Sequence, residues 1–360
     1  MLPTSHYMQK ASMGAMGSRF KRLAKVGGPM QLMRNALYIN TGTDRMMEGA
    51  WLAGVAMTEW TWGIRSADFD NDTLADIFFT NGIPRQFNHS DLPPLDHAHL
   101  VGRTAWDHYE GTPERREQNK AYRNLGNFQF EDVSHAWALD HVSMSYGASL
   151  ADFDHDGRLD MIVTNLEDPL SLYRNQGATG NRLVVELAGR TSNRQGIGSR
   201  LVAELPDGTH LTRHFFPNGG YLDSDQAMVH FGLGNAEQVT TLTVDWPSGH
   251  HQVFRDLAIN QRIRITEPEG SEACLRPSGT NKATSPQSSG SHLFSKDSVT
   301  AKRTLTITFG SPSCRTACPD SAPVRRGPMW TETEIQTSFW GAAGQPGQYF
   351  QNATAPGSRK

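Results

Sequence analysis

Cysteine is almost missing. Residues 1–273 contain none, and the three present, Cys274, Cys314 and Cys318, fall in the last quarter of a 360-residue chain. A disulfide scaffold or a Cys-based zinc domain is thereby excluded for most of the sequence. Neither sign of charge dominates: 34 Lys and Arg face 37 Asp and Glu, a net charge of −3. That balance creates no general field for nucleic acid or for an anionic membrane. No apolar run is long enough to read as a membrane-spanning helix. The opening Met1-Leu2-Pro3-Thr4-Ser5-His6 lacks the charged and apolar regions of a signal peptide. A Gly-x-Ser-x-Gly elbow, a phosphate-binding glycine loop and a His-Glu-x-x-His helix are also absent.

What is present, up to about residue 268, is a succession of short apolar runs between Gly, Asn and Asp turns. That pattern predicts an all-β protein. It contains an internal repeat. Tyr38-Ile39-Asn40-Thr41-Gly42 returns as Tyr122-Arg123-Asn124-Leu125-Gly126 and as Tyr173-Arg174-Asn175-Gln176-Gly177. Asp68-Phe69-Asp70-Asn71-Asp72 returns as Asp152-Phe153-Asp154-His155-Asp156, 84 residues on. The second and third Tyr-x-Asn-x-Gly copies are only 51 apart. A unit of about fifty residues accounts for both spacings, with an insert near 88–121 in the first copy. Within the insert, Thr112-Pro113-Glu114-Arg115-Arg116-Glu117 predicts a short capped helix.

Each repeat carries four carboxylates within nine residues: Asp68, Asp70, Asp72 and Asp76, then Asp152, Asp154, Asp156 and Asp160. Such a cluster repels itself unless a cation sits among the oxygens. Side chains at positions one, three, five and nine, with the carbonyls of Leu74 and Arg158 at position seven, can cage a hard ion, Ca2+ before Mg2+. Position six needs positive φ, which suits Gly157 and costs Thr73 on the order of 1–2 kcal/mol. The residues that follow, Ile77-Phe78-Phe79 and Met161-Ile162-Val163, predict a strand rather than the exit helix of a calcium hand.

Trp62-Gly63 through Asn81-Gly82 and Tyr146-Gly147-Ala148 through Asn165 resemble FG-GAP/VCBS repeats, the calcium-binding blades of integrin-α-like propellers. The resemblance implies a partial β-propeller over residues 1–178 whose first blade is cut. It also implies that upstream blades and a secretion signal precede this start. Residues 179–265 predict a second β unit, with strands at 183–187, 199–205 and 240–246. Ser192-Asn193, Gly196-Ile197-Gly198, Arg213, Gly219-Gly220-Tyr221, His230-Phe231-Gly232-Leu233-Gly234 and Trp246-Pro247-Ser248-Gly249 closely resemble the ASPIC/UnbV domain, named from cartilage acidic protein and a bacterial relative. His230 and Arg213 have the chemistry to hold an acidic ligand, but hydrogen bonding within the sheet is the simpler role. His97-x-His99 and His250-His251 sit in polar turn-like sequence.

Residues 266–360 predict a linker and a low-order tail. Within it, 296–340 fit no blade, whereas Gly341-Ala342-Ala343-Gly344 and Phe350-x-Asn352 again resemble the family. Back-translated and read one base earlier, Met329 to Trp340 can encode Asp-Val-Asp-Gly-Asp-Gly-Asp-Ser-Asp-Leu-Phe-Leu, a calcium loop with its strand. Two compensating frame changes would explain it, and the rival is a disordered tail with a Cys314–Cys318 disulfide. The functional expectation is a calcium-binding, non-catalytic interaction or adhesion protein, secreted, periplasmic or at the cell surface. Its partner would be a protein or carbohydrate, with no nucleic acid and no transmembrane segment. The alternatives are an uncharacterised hydrolase-type enzyme, in which the loop carboxylates act as acid and base, and a truncated product without function.

Overall fold

The computed structural model describes Thr4, residues 34–86, Asp107, and residues 109–177, 180–269 and 350–353. His97, His99, Cys314, Cys318 and the out-of-frame stretch 296–340 lie outside the described residues. Every named element is a strand, as the turn-punctuated apolar runs predict.

A hairpin of β1 (Tyr38–Asn40) and β2 (Met46–Glu48) precedes the first four-stranded sheet. That sheet joins β3 (Thr61–Ala67), β4 (Asp76–Asn81), β6 (Lys120–Asn124) and β7 (Phe130–Asp132) in the order β3-β4-β6-β7, all antiparallel. Beside it, β5 (Glu117–Gln118) pairs with β8 (Val142–Ser143). The second sheet repeats the meander with β9 (Ser145–Ala151), β10 (Asp160–Asn165) and β11 (Ser171–Asn175). Between the two sheets lies one apolar core, in which Phe69, Phe78 and Trp137 meet Leu150, Met161, Val163 and Tyr173. Each fully buried large side chain there contributes roughly 1.5–3 kcal/mol. All six residues of β4 are buried, which is why Ile77-Phe78-Phe79 reads as a continuous apolar run rather than an alternating one.

The capped helix expected over Thr112–Glu117 does not form. Arg115 exchanges backbone hydrogen bonds with Ile83 at 2.9 and 3.0 Å, and Glu117 already belongs to β5. Pairing to an existing strand satisfies these backbone groups where an isolated one-turn helix would leave them open. The repeat resumes at β6, which starts at Lys120 as β11 starts at Ser171, so the insert ends just before Lys120 and includes β5.

The second domain contains β12 (Asn181–Ala188), β13 (Arg200–Glu204), β14 (His210–His214), β15 (Val229–Gly234), β16 (Gln238–Asp245), β17 (His251–Ala258) and β18 (Gln261–Thr266). They form two sheets, β15-β12-β18 and β14-β13-β16-β17, with β12 and β18 parallel. Leu183, Val185 and Leu187 point into its core with Leu201, Leu242 and Phe231. Trp246 anchors that core at 4% exposure and donates its indole N–H to Gln252 Oε1. The domain runs past residue 265: Glu267 is buried, accepting hydrogen bonds from Arg190 N, Ser192 N and the hydroxyls of Ser192 and Ser248. Nor is the tail without order throughout. A last strand, β19 (Phe350–Ala353), adds to the free edge of β11. Its register places Phe350 opposite Asn175, as Phe130 stands opposite Asn124 in the first sheet.

Candidate metal centre

The two acidic loops are turns of the same design. Both connect the first and second strands of their sheets, β3 to β4 and β9 to β10. Thr73 N donates to Asp68 Oδ2 at 2.9 Å, and Gly157 N donates to Asp152 Oδ2 at 2.9 Å. Leu74 N and Arg158 N donate to Asp72 Oδ1 and Asp156 Oδ1, each at 2.9 Å. Phe69 N and Phe153 N donate to Asp76 Oδ2 and Asp160 Oδ2, each at 3.0 Å. Short acidic side chains that accept from amides two to five residues ahead, closed by Asp76 and Asp160 accepting from amides seven residues behind, hold such a loop in a tight coil. Positive φ recurs at matching positions, 62° and 59° at Asn71 and His155, then 84° and 82° at Thr73 and Gly157. Thr73 thus adopts the backbone that glycine prefers, strain and all.

The Tyr-x-Asn-x-Gly motif has its explanation here too. Asn124 N and Asn175 N donate to the second oxygens of Asp76 and Asp160 at 2.9 and 2.8 Å. Their side-chain carbonyls accept from Gly126 N and Gly177 N, closing an Asx turn. The motif is the outer clamp of the loop. Nothing in its spacing alone reveals that.

One carboxylate oxygen each from Asp68, Asp70 and Asp76 lies within 4.8 Å of the others, and so do those of Asp152, Asp154 and Asp156. The tight trios differ from the expected quartets. Asp72 turns to Leu74 N and toward Arg123, and Asp160 lies outside its trio although it accepts from two amides equivalent to those that bond Asp76. Asp68, Asp70, Asp76, Asp152 and Asp160 are buried. Burial, aided by the neighbouring Asp72 charge, pushes the Asp68 carboxyl up to about 7. Burial raises Asp76 to about 9 and Asp160 to about 7 against the backbone amides that favour their ionised forms. The Asp70 carboxyl moves up for the same reason.

These residues fit a hard cation. Buried oxygens converge, and Asp152 Oδ1 is buried with no hydrogen-bond donor, an arrangement costly for a carboxylate without a cation. Arginines take part of the charge: Arg123 pairs with Asp70 at 2.6 Å, Arg174 with Asp154 at 2.6 Å, and Arg158 with Asp156. Arg123 and Arg174 reach the loops from β6 and β11, whereas Arg158 belongs to the second loop itself.

The second domain sits on both loops. Gly234 N donates to the Asn71 carbonyl at 2.8 Å, and a side chain at Gly232 would collide with Asp68 Oδ2. His230 Nε2 faces the Gly157 carbonyl at 3.1 Å. Burial, then the Arg213 charge, drives the His230 imidazole down to about 3, so it is neutral and donates there. A second contact follows the inner strands. Arg65 on β3, 4% exposed, pairs with Asp223 at 3.2 Å and with Asp225. Leu150 N donates to Asp225 Oδ1 at 2.8 Å, and Gln226 N donates to the Leu150 carbonyl at 2.9 Å. Trp62 and Tyr146, at equivalent repeat positions, both lie against Tyr221, with ring centroids 5.3 and 6.3 Å away. His230 therefore serves the domain joint, and Arg213 holds the His230 backbone carbonyl through Nε while its charge is felt by Asp68.

The sequence reading missed one further polar group, Ser248, His250 and Glu267. Ser248 Oγ donates to Glu267 Oε1, and both lie at the same ring nitrogen, His250 Nδ1, at 3.2 and 3.0 Å. A nucleophilic triad needs hydroxyl and carboxylate at opposite ring nitrogens. This cluster instead ties the Trp246-Pro247-Ser248-Gly249 turn to the end of β18. His251 pairs with Asp245.

Residues 189–272 match the family described as ASPIC and UnbV, and residues 111–163 match the FG-GAP-like repeat. The chain is homologous to cartilage acidic protein 1. It is 27% identical to the Homo sapiens protein over 267 residues, covering 70% of this chain and 36% of that one. Identity to the Mus musculus protein is 26% over 267 residues, covering 70% and 37%. The Xenopus tropicalis protein is 27% identical over 220 residues, covering 59% and 30%. The chain spans about a third of the length of the curated relatives it matches.

Proposed function

We propose that this chain is a calcium-stabilised, non-catalytic interaction module that works outside the cytoplasm. The observation that carries this reading is the duplicated acidic loop, the same hydrogen bonds at the same offsets with carboxylates withdrawn from water. The two meanders are read as blades of a partial propeller, and the second domain as their cap. Leu74 and Arg158 would add backbone carbonyls to Asp68, Asp70, Asp72 and Asp76 and to Asp152, Asp154, Asp156 and Asp160. The bound ion would supply charge neutralisation and tie the loop to its strands. The likeness to cartilage acidic protein 1 supports an extracellular, non-enzymatic role, and the partner proposed for it is a protein or carbohydrate. Among the described residues no helix is long and apolar enough to cross a membrane.

Thermal melting with stepwise calcium tests this. The melting temperature is expected to rise with calcium and fall back with chelator, as any ligand of the native state alone requires. An unchanged melt across millimolar calcium would overturn the metal assignment.

A further inference from the structure

The sheet β15-β12-β18 has two apolar commitments. Leu183, Val185 and Leu187 face the domain's own core. Val184, pointing the other way, is only 1% exposed although it belongs to no part of that core. Strand alternation puts Arg182 and Glu186 on the same face as Val184. The register sets His230 and Arg262 directly across from Val184, one on each neighbouring strand. This outer face therefore carries His230, Arg182 and Arg262 as a row across three strands, and all three reach the second acidic loop. His230 meets the Gly157 carbonyl, Arg182 donates to the Asp156 carbonyl, and Arg262 Nη2 lies 2.5 Å from Asp152 Oδ2. Arg262 is itself held by Glu186 at 2.7 Å.

Asp152 is the first residue of its loop, and its two oxygens have different surroundings. Oδ2 accepts from Gly157 N and from Arg262. Oδ1 is buried and, among the described residues, accepts no hydrogen bond. With Oδ2 fully engaged by loop and second domain, the carboxylate cannot rotate, and Oδ1 is left for a cation. The loop carbonyls of Asp156 and Gly157 are likewise held by Arg182 and His230, which steadies the coil on the side facing the second domain.

We propose that Arg262 is a positioning residue for the second cation loop, so that calcium binding there and docking of the second domain are one coupled equilibrium. This rests on the calcium reading above. Groups that orient a metal's ligand through its other oxygen typically carry ten- to a hundredfold of metal affinity. Linkage makes the effect reciprocal: whatever docking adds to calcium affinity, calcium adds to docking.

The test uses the full chain. Hydrogen exchange is followed by mass spectrometry with and without calcium, and calcium affinity is measured by calorimetry for wild type, Arg262→Gln and Arg262→Lys. Calcium is expected to slow exchange both in loop 152–160 and in β12 and β18 of the second domain. Arg262→Gln should weaken one of the two sites about tenfold or more and abolish the protection of β12 and β18, with Arg262→Lys in between. Protection of the loop alone, or a Gln variant with wild-type affinity, would overturn the coupling while leaving the calcium reading intact. If wild type takes up no calcium, both fall. Should Arg262→Gln fail to fold, the exchange pattern of wild type decides the question alone.

Discussion

The side-chain amide of Asn175 donates to the carbonyl of Phe69 at 2.7 Å, tying the third strand of the second sheet to the acidic loop of the first. The repeat-equivalent Asn124 donates instead to Ala75, in the loop that leads into its own sheet, at 3.0 Å. Equivalent residues in sequence thus do different work. Asn175→Ala removes this buried hydrogen bond between the two sheets, so it is expected to cost about 1 kcal/mol. Its backbone amide still holds Asp160, and the Asx turn to Gly177 N that goes with the side chain is lost equally at Gly126 N in Asn124→Ala, so the difference between the two variants isolates the link between the sheets. Urea unfolding of the variant beside Asn124→Ala measures the difference.

Calcium stabilisation should depend on pH in a definite direction. Without a cation, burial raises Asp68 and Asp160 to about 7 and Asp76 to about 9. A carboxyl whose folded pKa exceeds its unfolded value stabilises the fold below the unfolded value, near 4, and loses that contribution as pH climbs through the folded value. Cation-free protein is therefore expected to weaken between pH 5 and 8. A cation binds the ionised carboxylates, so its stabilisation grows over the same interval. Melts with calcium and with chelator at pH 6 and pH 8 should diverge at the higher pH. Equal calcium shifts at both would contradict this.

Glu267 has the opposite sign. Burial works to raise its carboxyl, but the hydroxyl of Ser248 and the amides and hydroxyl around Ser192 and Arg190 outweigh it and hold it at about 2. Its contribution is complete above the unfolded value of about 4.5 and disappears as pH falls from there toward 2. Glu267→Gln is expected to lower stability at pH 7 by about 1–3 kcal/mol and to flatten the loss of stability below pH 4.5. Chemical denaturation at pH 7 and pH 3 separates the two effects.

Thr73 offers a gain. At φ 84° it holds a left-handed conformation that costs a β-branched residue on the order of 1–2 kcal/mol. Thr73→Gly should raise stability by about 1 kcal/mol, and Gly157→Ala, at φ 82°, should lower it by a similar amount or more. Differential scanning calorimetry of the pair checks both signs.

The coil of each loop was readable from sequence because its internal hydrogen bonds join residues within one nine-residue stretch, whereas the outer clamp from Asn124 and Asn175 was not. Aspartates at alternating positions cap nearby amides, whatever the rest of the molecule does, and an aliphatic–aromatic run after them can only leave as a strand. Arg115 shows where such reading stops. Its local sequence favours a capped turn of helix, but the carbonyl and amide of Ile83 were available to pair with it, and pairing won. His230 shows it again: hydrogen bonding within the sheet is the simpler role read from sequence, and in place its imidazole faces the Gly157 carbonyl of the other domain.

By itself, then, the sequence determined the strand-rich class, the repeat, the coil of each acidic loop and the clustering of charge that calls for a cation. Those properties depend on contiguous residues and backbone geometry. The tertiary structure decided that the two loops lie beneath one face of the second domain, and that Arg262 reaches Asp152 across 110 residues of chain. It decided also that Asp223 and Asp225 neutralise Arg65. Those pairings follow from strand register and from which face of β12 is turned outward, and no local spacing encodes either.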